Sequence, residues 1–173
     1  MKKRGQIEIS FQLIFSLILI ATFIYAAIYG IRYFLETADL AKINYFNAEL
    51  QSKVETAWLS TEISQDYELS LPTRIKYVCF SQPNDLTLAK LKAANIPECA
   101  DFENYIITFR DMNMFFCPAE KVWKIGAPIY IYINCKGKDC LQFEKTPYCI
   151  KNEKGKVKIK LEKNYGETKI RLS

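Results

Sequence analysis

From Ile9 to Ile31 the chain carries no charged side chain, a run of 23 residues. At about 1.5 Å per helical residue it reaches roughly 34 Å, enough to cross a hydrocarbon core of roughly 30 Å. It is longer than the roughly 7–15 apolar residues of a secretory signal, and no small-x-small cleavage site follows it cleanly. A helix that is apolar on every side needs a large protein around it, which the remaining chain does not supply. Beyond Arg32 the pattern changes: Leu40, Ile43, Phe46, Leu50, Val54, Ala57 and Trp58 recur at steps of three and four, with Glu36, Asp39, Lys42, Glu49, Lys53 and Glu55 between them. A single helix from about Ile7 to about Glu62 is predicted, apolar all round in its first half and striped in its second. Such a stripe has to pack on something.

Pro72 disfavours helix at the residue before it, so the polar stretch QDYELSLP is expected to leave the helix. From there the period becomes two. Strands are expected at Thr73 to Phe80, Asn104 to Phe109, Met114 to Cys117, Pro128 to Cys135 and Lys156 to Lys163, with Thr168 to Leu172 closing a hairpin across Asn164 to Gly166. DLTLAKLKAANIPEC reads equally as a short helix or a surface loop. The fold class is therefore α+β, an antiparallel sheet laid on the C-terminal half of a long helix. The chain divides into a basic leader (1–5), an apolar helix (6–35), its amphipathic continuation (36–64) and a β-rich head (65–173).

Charge fixes an orientation. Lys2, Lys3 and Arg4 precede the apolar run, whereas Arg32 and Lys42 after it are balanced by Glu36 and Asp39. The positive-inside rule puts the N-terminus in the cytoplasm and the head outside, in a single-pass protein of the cell membrane whose first partner is the lipid bilayer. The net charge of +5 owes three units to the leader; beyond Gly5 there are 21 Lys+Arg against 19 Asp+Glu. That balance does not point to nucleic acid.

All six cysteines, Cys79, Cys99, Cys117, Cys135, Cys140 and Cys149, lie beyond the membrane run. An even number in an oxidising compartment reads as up to three disulfides, in any of fifteen pairings. A zinc site would need four thiolates at unfamiliar spacing, because the chain has no histidine and no C-x-x-C pair. Neither a metal nor another cofactor is expected.

A short basic leader, a helix first apolar and then amphipathic, and a β-rich head together resemble a type IV pilin. The opening MKKRGQIEIS is similar to the archaeal pilin signal, with Gly5 and Gln6 at the cut, then Glu8, Ser10 and the apolar run. In the family pattern the serine and glutamate stand the other way round. The resemblance implies a prepilin-type peptidase that removes residues 1–5, and copies of the chain or related subunits as assembly partners. It implies too that a carboxylate near the new N-terminus, here Glu8, neutralises a neighbour's amine, a group costly at the bilayer edge unless paired. Helix packing would use the small residues Ala21, Ala26, Ala27 and Gly30. The resemblance covers about Lys2 to Ile31 in motif and the head only in architecture.

Little in the sequence supports catalysis, and no enzyme is expected: there is no histidine, no nucleophile elbow and no Gly-rich phosphate loop. Asp101, Glu103 and Asp111 flank strands and read as solvated acids. Alternation in KVKIKL places Lys156, Lys158 and Lys160 on one face and Val157, Ile159 and Leu161 on the other. Such a face suits DNA or anionic glycans, but lysines on the wet face of an edge strand that resists pairing are the simpler reading, and nucleic acid is not the favoured partner. Tyr130, Tyr132, Phe115, Phe116 and Trp123 are expected in the sheet core, and the sheet's second face is a candidate subunit contact. Two functions remain: a pilin-like structural subunit of a filament, or an uncleaved, anchored surface protein whose head binds a partner or ligand.

Overall fold

The computed structural model describes residues 11–82, 86–102, 112–143 and 145–173. The chain forms two compact units, Met1–Ala38 and Asp39–Ser173. Helix α1 spans Phe11–Leu59, 49 residues. In the first unit its side chains from Gln12 to Thr37 are exposed, and the helix is long and apolar enough to cross a membrane. Two of its hydroxyls are satisfied locally: Thr22 donates to the Ile18 carbonyl (2.7 Å) and Thr37 to the Tyr33 carbonyl (2.9 Å). In an apolar medium, where a polar group must find its partner within the protein, that matters.

The second unit is built on the striped part of α1. Ile43, Phe46, Leu50, Val54 and Ala57 are fully buried, with Leu40 and Trp58 packed beside them, as the three-and-four spacing requires. Two four-stranded sheets complete the unit. One has the order β1 (Ile63–Ser70), β7 (Lys156–Lys163), β8 (Ile170–Leu172), β5 (Leu141–Gln142); the other has the order β4 (Tyr130–Ile131), β3 (Met114–Cys117), β2 (Tyr77–Phe80), β6 (Tyr148–Lys151). The single antiparallel sheet expected from the sequence is thus two sheets, and β5 runs parallel to β8. Pairing along a chain this short is set by residues far apart in sequence, which periodicity does not report.

The individual strands follow the pattern unevenly. β7 buries Val157, Ile159 and Leu161, and its hairpin to β8 is tied by Glu167, whose carboxylate accepts from Asn164 N (3.0 Å) and Arg171 Nη2 (3.0 Å). The strand expected over Thr73 to Phe80 begins only at Tyr77, and Pro128 to Cys135 holds just the two residues of β4 plus a bridge from Cys135 to Lys138. The stretch expected to be a polar exit from the helix is the eight-residue β1. The equal choice over DLTLAKLKAANIPEC resolves as helix α2 (Leu88–Ala93), its Lys90 N–H capped by the Thr87 hydroxyl. Asn104 to Phe109 lies outside the described residues.

Sheet β4-β3-β2-β6 is covered on both faces by the chain itself. Phe116 meets Phe46 of α1 edge to face at 6.0 Å, and Phe115 stacks on Phe102 at 4.1 Å. Phe102 belongs to a 3₁₀ segment described over residues 97–102. This segment occupies the second face that the sequence leaves open for a subunit, so that expectation is corrected. Phe115 and Phe116 are core residues as expected; Trp123, at the end of α3 (Ala119–Trp123), is 66% exposed and is not.

Candidate functional site

Two regions carry the candidate functional residues: the apolar helix of the first unit and the charged face of β1 and β7 in the second. On an α-helix each residue turns by about 100°. Ala26 and Gly30 therefore stand one turn apart on one face with Ala27 beside them, while Ala21 falls on the opposite side and does not join them. The position that extends this face is Thr22, four before Ala26, giving a small-residue row Thr22, Ala26, Gly30. Small residues in steps of four let two helix backbones approach closely. Thr22 carries no apolar signal, and only the step of four reveals it. Apart from its own and adjacent residues and the surrounding helix backbone, nothing among the described residues lies within 4 Å of the place a Gly30 Cβ would take. Gly5, Gln6, Glu8 and Ser10, the cleavage and assembly residues, lie outside the described residues.

The three lysines of the basic face share one side of β7, but β7 lies inside its sheet, between β1 and β8, and β1 is the edge strand beside it. The edge-strand reading is corrected accordingly. The lysines face acids supplied by β1: the register sets Asp66 opposite Lys160 and Glu68 opposite Lys158. Lys156 Nζ reaches Glu68 Oε1 at 2.5 Å and Lys160 Nζ reaches Glu162 Oε1 at 2.5 Å. The hydrogen bond from Lys156, more than the charges of Lys156 and Lys158, holds the Glu68 carboxyl below its ordinary value of 4.5. The bond and charge of Lys160 do the same to Glu162, and Glu162 in turn raises Lys160. An open groove of about 930 Å³ beside the β6–β7 turn is lined by Glu68, Lys151, Glu153, Lys154, Lys156 and Lys158, so it too carries both signs. Phosphate recognition rests on unmatched cations. Here Glu68 of β1 pairs with Lys156 and Glu162 of β7 itself pairs with Lys160, while the groove holds four lysines against two glutamates.

Of the three strand-end acids, Glu103 and Asp111 lie outside the described residues. Asp101 has structural work: its Oδ2 accepts from the Glu120 backbone N–H at 2.7 Å. Helix α3 has Pro118 at its N-cap and no side-chain cap of its own, so an acid from residues 97–102 supplies the acceptor its first turn lacks.

The six cysteines form three disulfides: Cys79–Cys149, Cys99–Cys117 and Cys135–Cys140. The first joins directly opposed residues of β2 and β6. The second fixes residues 97–102 to the end of β3, under the covered face of the sheet. The third joins cysteines only five positions apart in sequence, after β4. That loop is also held from α1, because Gln51 donates to the Asn134 carbonyl (2.5 Å) and accepts from Asn134 N (3.2 Å). Asn113 does the same from the other side, donating to Ile133 O (2.6 Å) and accepting from Ile133 N (2.7 Å). Both amides act as short pieces of strand, a role composition does not announce.

Compared with known proteins, the chain matches no family profile, no curated protein and no solved structure.

Proposed function

We propose that the protein is a pilin-like structural subunit of a type IV filament or a related assembly, inserted in the cell membrane with its N-terminus in the cytoplasm and its head outside. The observation that supports this most is the division of labour along one helix. The exposed apolar part of α1 offers lipid or other copies a continuous surface, and the part from Asp39 onward is committed to the core of the head. In this reading a prepilin-type peptidase cuts between Gly5 and Gln6, Glu8 meets the amine of a neighbouring chain, and the row Thr22, Ala26, Gly30 sets the closest helix contacts in the assembly. Packing, not chemistry at a pocket, is then the function.

A second reading has one observation in its favour: the assembly glutamate of the pilin pattern is replaced by Ser10, with Glu8 two residues early. Under it the chain is an uncut anchor and the disulfide-bonded head binds a partner or ligand. Mechanical shearing of cells that make the native protein separates the two. A subunit appears in the sheared fraction as multimers that withstand mild detergent, and substitution of Ala26 by Leu, which closes the small-residue face, reduces them. An anchor stays with the membrane and leaves it as a monomer in detergent.

A further inference from the structure

The basic face of β7 continues into the turn that precedes it. Lys151 at the end of β6, Lys154 in the turn and Lys158 on β7 line the open groove of about 930 Å³ together with Glu68, Glu153 and Lys156. Lys156 is engaged by Glu68. Lys151, Lys154, Lys158 and Glu153 are exposed, and among the described residues their side chains make no hydrogen bond or ion pair. We propose that this groove binds an acidic polysaccharide, a chain carrying both carboxylates and hydroxyls: the three lysines take the carboxylates, and Glu153 accepts from the hydroxyls. The groove lies wholly in the head, so the proposal needs neither cleavage of the leader nor assembly.

Three observations carry it. First, the lysines stand on a fixed frame. Asn152, buried at the foot of the turn, donates from Nδ2 to Pro72 O (2.9 Å) and Ile75 O (2.8 Å) and accepts from Gly155 N (2.9 Å), while Leu71 N donates to Gly155 O at 2.9 Å. The turn that carries Lys154, itself at φ +50° to +60° (55°), is thereby pinned, and the backbone under the three lysines is set before a ligand arrives, which lowers the cost of ordering on binding. Second, the signs are mixed, with four lysines against two glutamates. Duplex DNA carries a charge about every 1.7 Å and has to bring that density against both carboxylates. A polysaccharide whose carboxylates are separated by neutral groups sets each against a lysine and leaves hydroxyls for Glu153; a charge-assisted bond to that carboxylate needs a donor, and the phosphate groups of a polyphosphate offer none at neutral pH. Third, among the described residues no aromatic side chain lines the groove to stack a base, and no arginine lines it to hold a phosphate by two parallel bonds.

The test uses the full chain in detergent with its disulfides intact, and follows the anisotropy of a fluorescein-labelled polygalacturonate oligosaccharide at about 0.1 M salt, where exposed charges still act over about 10 Å. Saturable binding is expected. Its Kd should rise about tenfold in Lys151→Gln/Lys154→Gln/Lys158→Gln, the size to which three exposed charge contacts add up. It should be unchanged in Lys42→Gln/Lys121→Gln/Lys138→Gln, which removes the same charge from exposed positions outside the groove. Competition on the unsubstituted chain is an independent measurement that no folding defect can confuse: unlabelled polygalacturonate should displace the probe at a lower concentration than polyphosphate or duplex DNA of equal charge, and neutral dextran should not displace it. Absence of binding, an equal loss in the two triple variants, or displacement by polyphosphate or DNA at the same or a lower concentration overturns the proposal. Filaments built from a chain that binds no polygalacturonate contradict this proposal and leave the subunit reading intact; binding by an uncut, unassembled chain does the reverse.

Discussion

Lys163, the last residue of β7, donates from its Nζ to the Trp58 carbonyl at 2.6 Å, joining strand and helix across 105 residues of sequence. A second bond runs from the same Nζ to Ser60 O at 2.7 Å. Helix α1 ends at Leu59 with no basic residue in its own last turn. Its final carbonyls, which have no partner within the helix, are met by an ammonium from the sheet, the charge the negative end of the helix dipole favours. Lys163 is only 8% exposed.

Lys163→Met keeps the length of the side chain and removes the donors. Charge-assisted hydrogen bonds of this kind contribute about 1.5–3 kcal/mol, so the variant should lose about 2 kcal/mol of stability. Denaturant titration of the full chain in detergent, followed by tryptophan fluorescence, measures this, since Trp58 sits at the site. Lys163→Arg should recover part of the loss.

Gly155, in the turn between β6 and β7, has φ +90°, and a Cβ there would stand 3.3 Å from the Leu71 carbonyl oxygen. That oxygen cannot retreat freely, because the same stretch is stitched to the turn: Leu71 N donates to Gly155 O at 2.9 Å, and Asn152 Nδ2 donates to Pro72 O at 2.9 Å. Gly155→Ala combines left-handed backbone strain with a close contact and should cost about 1–2 kcal/mol. Gly166 has a similar φ of +82° but open space around it, so Gly166→Ala should cost less in the same titration.

Glu68 and Glu162 supply a pH signature. Their folded carboxyls are held below 4.5 by Lys156 and Lys160. A carboxyl depressed on folding binds its proton more readily in the unfolded chain, so its contribution is fully present above pH 4.5 and is lost as the pH falls through the lowered folded values. Carboxyl-carbon NMR of the two residues should give midpoints below 4.5. Both should move back toward 4.5 in Lys156→Gln and Lys160→Gln respectively, and in about 1 M salt, which screens exposed pairs.

How much of this was legible in the sequence depends on whether a residue's partner is local. The buried positions of α1 and β7 were readable because one face of each is apolar, and the rule needs only neighbours three, four or two residues away. β1 was not, since Ser64, Gln65, Asp66, Glu68 and Ser70 are exposed and an edge strand buries little; it is a strand because β7 gives it eight paired residues. The cysteine pairings, the parallel contact of β5 with β8, and the duties of Gln51, Asn113, Asn152 and Lys163 all depend on residues brought together by the fold. The small-residue face is half legible: Ala26, Ala27 and Gly30 belong to it, Ala21 does not, and the hydroxyl of Thr22 disguises a side chain small enough to join it.

The central claim is that the opening residues are a signal that is cut before the chain is built into an assembly. It is tested most directly by the mass of the N-terminal peptide of the native protein, taken from both the membrane and the sheared surface fraction. The account predicts a mature chain that begins at Gln6 in both. A chain that begins at Met1 or Lys2 in both would contradict it, and would make α1 a permanent anchor.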